Sequence, residues 1–155
     1  MTSRPTKATT RSSSPMPCAR RQLSERRAGL NIAALIGQAR VAVPAYASGG
    51  LWLDRSIDAL QAEASGFVAA GFRAVKMRLA LGPLPATEAR VRAVREAIGP
   101  DITLMADANQ QLTEAEAIRM GRMLERYDLA WFEEPLPVWD LAGLARVASA
   151  LDTPI

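Results

Sequence analysis

Three stretches of this chain follow one another at an almost constant interval, and that interval limits the fold more than any other feature. Val75, Leu104 and Phe132 stand at corresponding points of three apolar runs, 29 and 28 residues apart. Between the runs lie segments with helical periodicity. A strand followed by a helix at this spacing implies parallel strands joined by right-handed crossovers. Two architectures satisfy that pattern, a (β/α)8 barrel and an open doubly wound sheet. No GxGxxG or GxxxxGK follows any strand, so the nucleotide-binding form of the open sheet has no support.

Residue by residue, the pattern predicts four β-α units. Residues 41–47 (VAVPAYA) read as a short strand running into Ser48-Gly49-Gly50. Residues 54–70 read as a helix with Ile57, Leu60, Ala64, Phe67 and Val68 on one face. A second strand spans 72–79, and a second helix spans 87–98 with Val91, Val94 and Ile98 inward. Gly99-Pro100 stops that helix. Residues 102–107 form the third strand. Thr113 and Glu116 form a capping-box pair at the start of the third helix. The fourth strand is 129–133, ended by Pro135 and Pro137. Asp140 caps the fourth helix, whose inner side is read as Leu141, Leu144, Val147, Ala148 and Leu151. Thr153-Pro154-Ile155 reads as the beginning of a fifth strand.

Composition narrows the chemistry. The chain of 155 residues contains no His and a single Cys, Cys18. Imidazole acid–base chemistry, His-ligated zinc, an intrachain disulfide and a CxxC metal site are therefore excluded within it. Only carboxylates, Lys, Arg, hydroxyls and amides remain to do chemistry. Residues 1–28 hold seven Lys or Arg against one acid, whereas residues 29–155 hold twelve basic and fifteen acidic residues. The basic pI of 9.6 thus belongs largely to an N-terminal stretch poor in large apolar residues. That stretch is read as a disordered tail. An organellar targeting peptide and a nucleic-acid-binding arm are the weaker alternatives. No apolar run reaches the length of a membrane span, so a soluble, cytoplasmic chain is expected.

The strand ends carry the candidate site. The second strand ends in Lys76-Met77-Arg78, the third in Asp107-Ala108-Asn109, and the fourth in Glu133-Glu134. Alternation puts Lys76 and Arg78 on one face, and Asp107 and Asn109 on one face. Strands inside a parallel sheet are normally apolar throughout, and charges buried there need partners or a metal. Adjacent strands lie about 4.8 Å apart. Carboxylates ending two neighbouring strands can therefore share one hard divalent cation, with Mg²⁺ the best match to oxygen ligands. Each charge taken singly also fits an ordinary ion pair, Lys76 with Glu133 for example, or a solvated strand end.

The KxR of residues 76–78, the sequence MADANQ at 105–110 and WFEEPL at 131–136 together resemble the mandelate racemase/muconate lactonizing enzyme family of the enolase superfamily. VPAYAS at 43–48 and LIGQAR at 35–40 add to that resemblance, which covers about residues 33–155. It implies an α/β fold, a partial TIM-like (β/α)-barrel of about four β-α units. The implied domains are a tail of residues 1–28, a lead-in of 29–43, and the N-terminal half of a barrel domain at 44–155. The implied cofactor is Mg²⁺, and the implied reaction removes the proton α to a substrate carboxylate. Asp107 and Glu133 resemble metal ligands, Asn109 a substrate-binding residue, and Glu134 a residue orienting its neighbours. Lys76 and Arg78 occupy the places of the family's catalytic pair. Arg keeps its proton, so Arg78 is a poor base. A dehydratase of hydroxy or sugar acids is accordingly favoured over a two-base racemase.

A complete barrel takes roughly 250 residues, so a truncated, self-inactive polypeptide is expected. A third metal carboxylate and a second base would then lie beyond it. The alternatives are a non-catalytic half-barrel that self-associates as a homo-oligomer and, more remotely, a basic-armed nucleic-acid binder.

Overall fold

The computed structural model describes residues 29–40, 42–79 and 82–155. The basic stretch 1–28 with Cys18, and Val41 at the start of the expected first strand, lie outside the described residues. The chain divides into two units, one ending at Val43 and one spanning Pro44–Ile155. In the first unit a single helical turn, α1 (Ile32–Leu35), starts where the Asn31 side chain accepts the Ala34 N–H at 2.8 Å. This is an ordinary Asn cap.

The second unit runs α2 (Ile57–Ala69), β1 (Ala74–Arg78), α3 (Leu84–Ile98), β2 (Thr103–Asp107), α4 (Glu114–Leu124), a 3-10 turn (Glu125–Tyr127), β3 (Leu129–Glu133) and α5 (Leu141–Ala150). The sheet order is β1-β2-β3, parallel throughout. Among the described residues the fold is therefore α/β, with each strand followed by a helix. None of these helices is long and apolar enough to cross a membrane.

The expected first strand is much shorter than its apolar run. It reduces to one parallel bridge, Ala47 to Val75. There Ala47 N–H donates to the Ala74 carbonyl and Lys76 N–H donates to the Ala47 carbonyl, both at 2.9 Å. Pro44 has no N–H to contribute, which keeps a ladder from extending through it. At the other edge, Phe132 N–H donates to the Pro154 carbonyl at 2.8 Å, so residues 153–155 lie beside β3.

The helices begin close to where the sequence places them. Ser56 caps α2 by accepting the Ala59 N–H, so the helix starts at Ile57, three residues later than the expected start at Asp54. The α3 helix begins at Leu84 instead of Thr87, because Pro85 in its first turn sits where an N–H has no helical partner anyway. The Thr113–Glu116 capping box of α4 is complete. Asp140 accepts the Gly143 N–H at 2.9 Å and caps α5.

One aliphatic core lies between the sheet and the helices. Val75, Met77, Leu104, Ala106 and Phe132 point from the strands towards Leu60 and Ala64 of α2, Val91 and Val94 of α3, Ala117 and Leu124 of α4, and Val147 of α5. Three residues read as inward-facing are not: Ile57 and Leu141 are 40% and 73% exposed, and Ala148 is exposed as well. Ile57 and Leu141 each open their helix, where a position of correct periodicity extends past the edge of the layer beneath.

The lower ends of the strands are tied by one side chain. Arg95 of α3 donates to the carbonyls of Gly99, Ile102, Tyr127 and Asp128 at 2.7–3.0 Å. One guanidinium thus joins the end of α3 to the turns that lead into β2 and β3.

Candidate active site

The strands bury aliphatic residues on their helix-facing side. Their other side carries the charges. Register sets Arg78 opposite Asp107 and Asp107 opposite Glu133, so one row across the three strands reads Arg-Asp-Glu at their carboxyl ends. Lys76 lies two residues earlier on the face of Arg78, opposite Met105.

These four side chains form one ion cluster. The Lys76 Nζ lies 2.6 Å from Glu133 Oε1 and 3.4 Å from Asp107 Oδ2. Arg78 Nη1 pairs with the same Asp107 Oδ2. Asp107 Oδ1 accepts the Asn109 N–H at 2.8 Å. Lys76 and Asp107 are only 6% and 2% exposed. Charges this deep persist because each is paired, since breaking such a pair leaves an uncompensated buried charge.

Burial alone would lower the Lys76 pKa. The hydrogen bond and charge of Glu133, with the charge of Asp107, outweigh it and hold the ammonium above its ordinary value. Burial would raise the Glu133 pKa. The hydrogen bonds from Lys76 and Trp131 and the nearby positive charges prevail, and hold it below the usual carboxylate value. Each of these two partners thus favours the charged form of the other.

The backbone bends sharply just beyond the strands. Asn109, Gln110 and Glu134 have φ of 50°, 61° and 46°. Gln110 N–H donates to the Glu134 carbonyl at 2.7 Å, locking the two loops together. Left-handed backbone at non-glycine residues costs about 1–3 kcal/mol each and gathers where function needs it. The Asn109 and Glu134 side chains are exposed. Of the six residues singled out from the sequence, the structure brings Lys76, Arg78, Asp107 and Glu133 together. It sets Asn109 and Glu134 at the rim, with their main chains shaping the loops.

Three aromatic residues that the charge pattern does not single out flank the cluster. The Lys76 Nζ lies 5.9 Å from the centre of the Tyr46 ring, and the Arg78 guanidinium lies 5.4 Å from that of Trp52. Trp131 meets Tyr46 edge to face at 5.8 Å. Its indole Nε1 donates to Glu133 Oε2 at 3.0 Å. The available signal for Trp131 was its position two residues before Glu133, hence on the same strand face. For Trp52 there was none. Its loop is placed by Leu51, at φ 57° and fully buried. The Leu51 N–H donates to Glu63 Oε2 at 2.7 Å, and its carbonyl accepts the Arg78 N–H at 3.2 Å. Arg90 of α3 then holds the carbonyls of Trp52, Leu53 and Arg55 at 2.6–3.2 Å.

A cation held by carboxylates at the carboxyl ends of parallel strands is where (β/α) barrels keep their chemistry. The model of the enolase C-terminal domain-like family matches residues 59–155, which include all four members of the ion cluster. The chain belongs to this family. Within the enolase superfamily its relatives include L-talarate/galactarate dehydratase of Salmonella typhimurium, 39% identical over 142 residues, covering 92% of this chain and 36% of that protein. Another is 3,6-anhydro-alpha-L-galactonate cycloisomerase of Streptomyces coelicolor, 44% identical over 105 residues, covering 68% of this chain and 29% of that protein.

Solved structures of the superfamily agree. The Salmonella typhimurium dehydratase liganded with Mg and L-lyxarohydroxamate superposes with a TM-score of 0.78 at 39% identity, over 85% of this chain and 34% of that one. A racemase from Streptomyces coelicolor with bound magnesium gives 0.72 at 39% identity, over 77% and 33%. These neighbours are enolase-superfamily barrel enzymes, and the fold here is part of such a barrel domain. The chain spans about a third of the length of the curated relatives it matches.

Proposed function

We propose that this chain carries part of the Mg²⁺-dependent active face of an enolase-superfamily enzyme, one that removes the proton α to the carboxylate of a hydroxy or sugar acid. The observation supporting this reading is that Asp107 and Glu133, from adjacent strands, converge on one cation, the Lys76 ammonium, at 3.4 and 2.6 Å. The donor set suits the metal. Mg²⁺ takes hard oxygen ligands, uses one or two carboxylates, and keeps waters for its other positions. Asp107 and Glu133 would hold it. When bound, it supplies fixed positive charge against which a substrate carboxylate can accumulate negative charge.

The chain's own residues have distinct parts in this reading. Lys76 and Arg78 neutralise the two carboxylates in the arrangement seen, and would release them to the metal. Arg78, always protonated, then faces the substrate carboxylate as an anion holder. Lys76, freed from the carboxylates that keep it protonated, is the residue able to take the α-proton. Asn109 lies at the rim as a polar contact for the substrate. Glu134 steadies the Gln110 loop through its carbonyl. A lone candidate base on this face favours dehydration of a hydroxy or sugar acid over racemisation. The same reading assigns a cytoplasmic location and a small-molecule acid as partner.

Among the described residues no group of three metal-holding side chains is present. The 155 residues by themselves are accordingly proposed to bind Mg²⁺ weakly and not to turn over. Calorimetric titration with Mg²⁺ tests the assignment. A weak binding signal lost in both Asp107→Asn and Glu133→Gln supports it, and unchanged binding in both variants refutes it.

A further inference from the structure

We infer that Trp131 is a positioning residue for metal binding, holding Glu133 so that a single carboxylate oxygen faces the cation. The inference rests on the assignment of Glu133 as a ligand. The two Glu133 oxygens have different donors. Oε1 takes the Lys76 ammonium at 2.6 Å, the same ammonium that reaches Asp107. Oε2 takes the Trp131 indole N–H at 3.0 Å. A metal taken up by the two carboxylates would compete with the ammonium for Oε1, whereas the indole donates to the other oxygen, Oε2.

The indole is itself braced. It sits two residues before Glu133 on β3, so its direction is set by the strand. Its ring packs edge to face on Tyr46 at 5.8 Å. Tyr46 lies directly before Ala47, which is hydrogen-bonded to β1 on either side. The Lys76 ammonium lies 5.9 Å from the centre of the Tyr46 ring. The ring that braces Trp131 is thus also within cation–π range of the Lys76 ammonium. Cation–π attraction contributes about 0.5–1 kcal/mol at exposed sites and more where water is excluded. A carboxylate with one oxygen tied keeps its plane when the metal arrives. A carboxylate without that tie must give up rotational freedom at binding. Hydrogen-bond partners of ligating groups typically change metal affinity by about 10–100-fold.

The test compares the full chain with Trp131→Phe, which keeps a ring against Tyr46 and removes only the N–H donor. Trp139→Phe is the control, since Trp139 is 79% exposed. Mg²⁺ affinity by calorimetry is expected to fall about tenfold in Trp131→Phe and to stay unchanged in Trp139→Phe. In ¹⁵N-labelled wild type, the Trp131 indole N–H resonance is expected to move during the Mg²⁺ titration with the calorimetric affinity. That readout needs no variant, so it holds even if Trp131→Phe does not fold. An unchanged affinity in Trp131→Phe overturns the positioning role alone, even if the variant melts earlier. An indole resonance unmoved at Mg²⁺ saturation also overturns it. Failure of wild type to bind Mg²⁺ at all overturns the metal assignment and this role with it.

Discussion

Replacing Arg95 with Met should unlock the lower end of the sheet. The side chain of Arg95 donates from Nε to Tyr127, from Nη1 to Gly99 and Ile102, and from Nη2 to Asp128, in each case to a main-chain carbonyl. Burial lowers the Arg95 pKa, with the charge of Asp128 opposing, and the group remains a guanidinium at any working pH. A hydrogen bond from a charged donor contributes about 1.5–3 kcal/mol net. The Asp128 carbonyl belongs to an exposed residue and can take water instead. So, in part, can that of half-buried Tyr127. Counting only Gly99 and Ile102 leaves a loss of about 3 kcal/mol or slightly more, because Met retains the packing of the Arg stem. That is a large fraction of the 5–15 kcal/mol typical of a domain. Urea unfolding followed by circular dichroism should show a lower midpoint with an unchanged slope. Arg95→Lys, which keeps the charge but cannot span four carbonyls, should fall between Met and wild type. A loss below about 1 kcal/mol in Arg95→Met would refute the reasoning, since it would mean that water replaces all four bonds at no cost.

Two further outcomes are expected. The Glu116 carboxylate is held below its usual pKa first by the Thr113 side chain and then by the Thr113 backbone N–H, so its stabilisation is complete above the ordinary Glu pKa and is lost as pH falls through the folded value. The melting temperature of Glu116→Gln should therefore trail wild type at neutral pH and converge on it in acid, and a gap that widens in acid would contradict the capping argument. Incubated in D₂O with Mg²⁺ and a panel of hydroxy and sugar acids, the chain should incorporate no α-deuterium detectable by NMR, because Asp107 and Glu133, with no third metal-holding side chain grouped with them among the described residues, would hold Mg²⁺ loosely, and loose positioning costs a factor of about 100. Incorporation that disappears in Lys76→Ala would reverse that expectation and establish Lys76 as a working base.

The sequence alone determined the order of elements and most of the core faces, which depend on local period. The strand–helix interval identified parallel β-α units, and Val91, Val94 and Ile98 line the core as their spacing requires. The Thr113–Glu116 and Asp140 caps were legible because a cap involves residues three apart. Alternation along a strand likewise put Lys76 with Arg78, and the motifs at 76–78, 105–110 and 131–136 carried the family resemblance. Tertiary structure decided what depends on neighbours distant in the chain. It shortened the first strand to Ala47, because pairing rests on backbone donors that Pro44 lacks. It left Leu141 in water although it lies one turn before the core-packed Leu144, because the period of a helix does not state how far the layer beneath it extends. It joined Lys76 to Asp107 and Glu133 rather than to either alone, because the register of three strands sets those distances. It also brought Tyr46, Trp52 and Trp131 around the charges. Trp52 reaches Arg78 only through a left-handed Leu51 and a loop held by Glu63 and Arg90, contacts that span 12 and 35–38 residues. Periodicity is a property of consecutive residues, whereas a binding site is made where separate strands and loops meet. That is why the charges could be located at the strand ends from the sequence, and their mutual geometry could not.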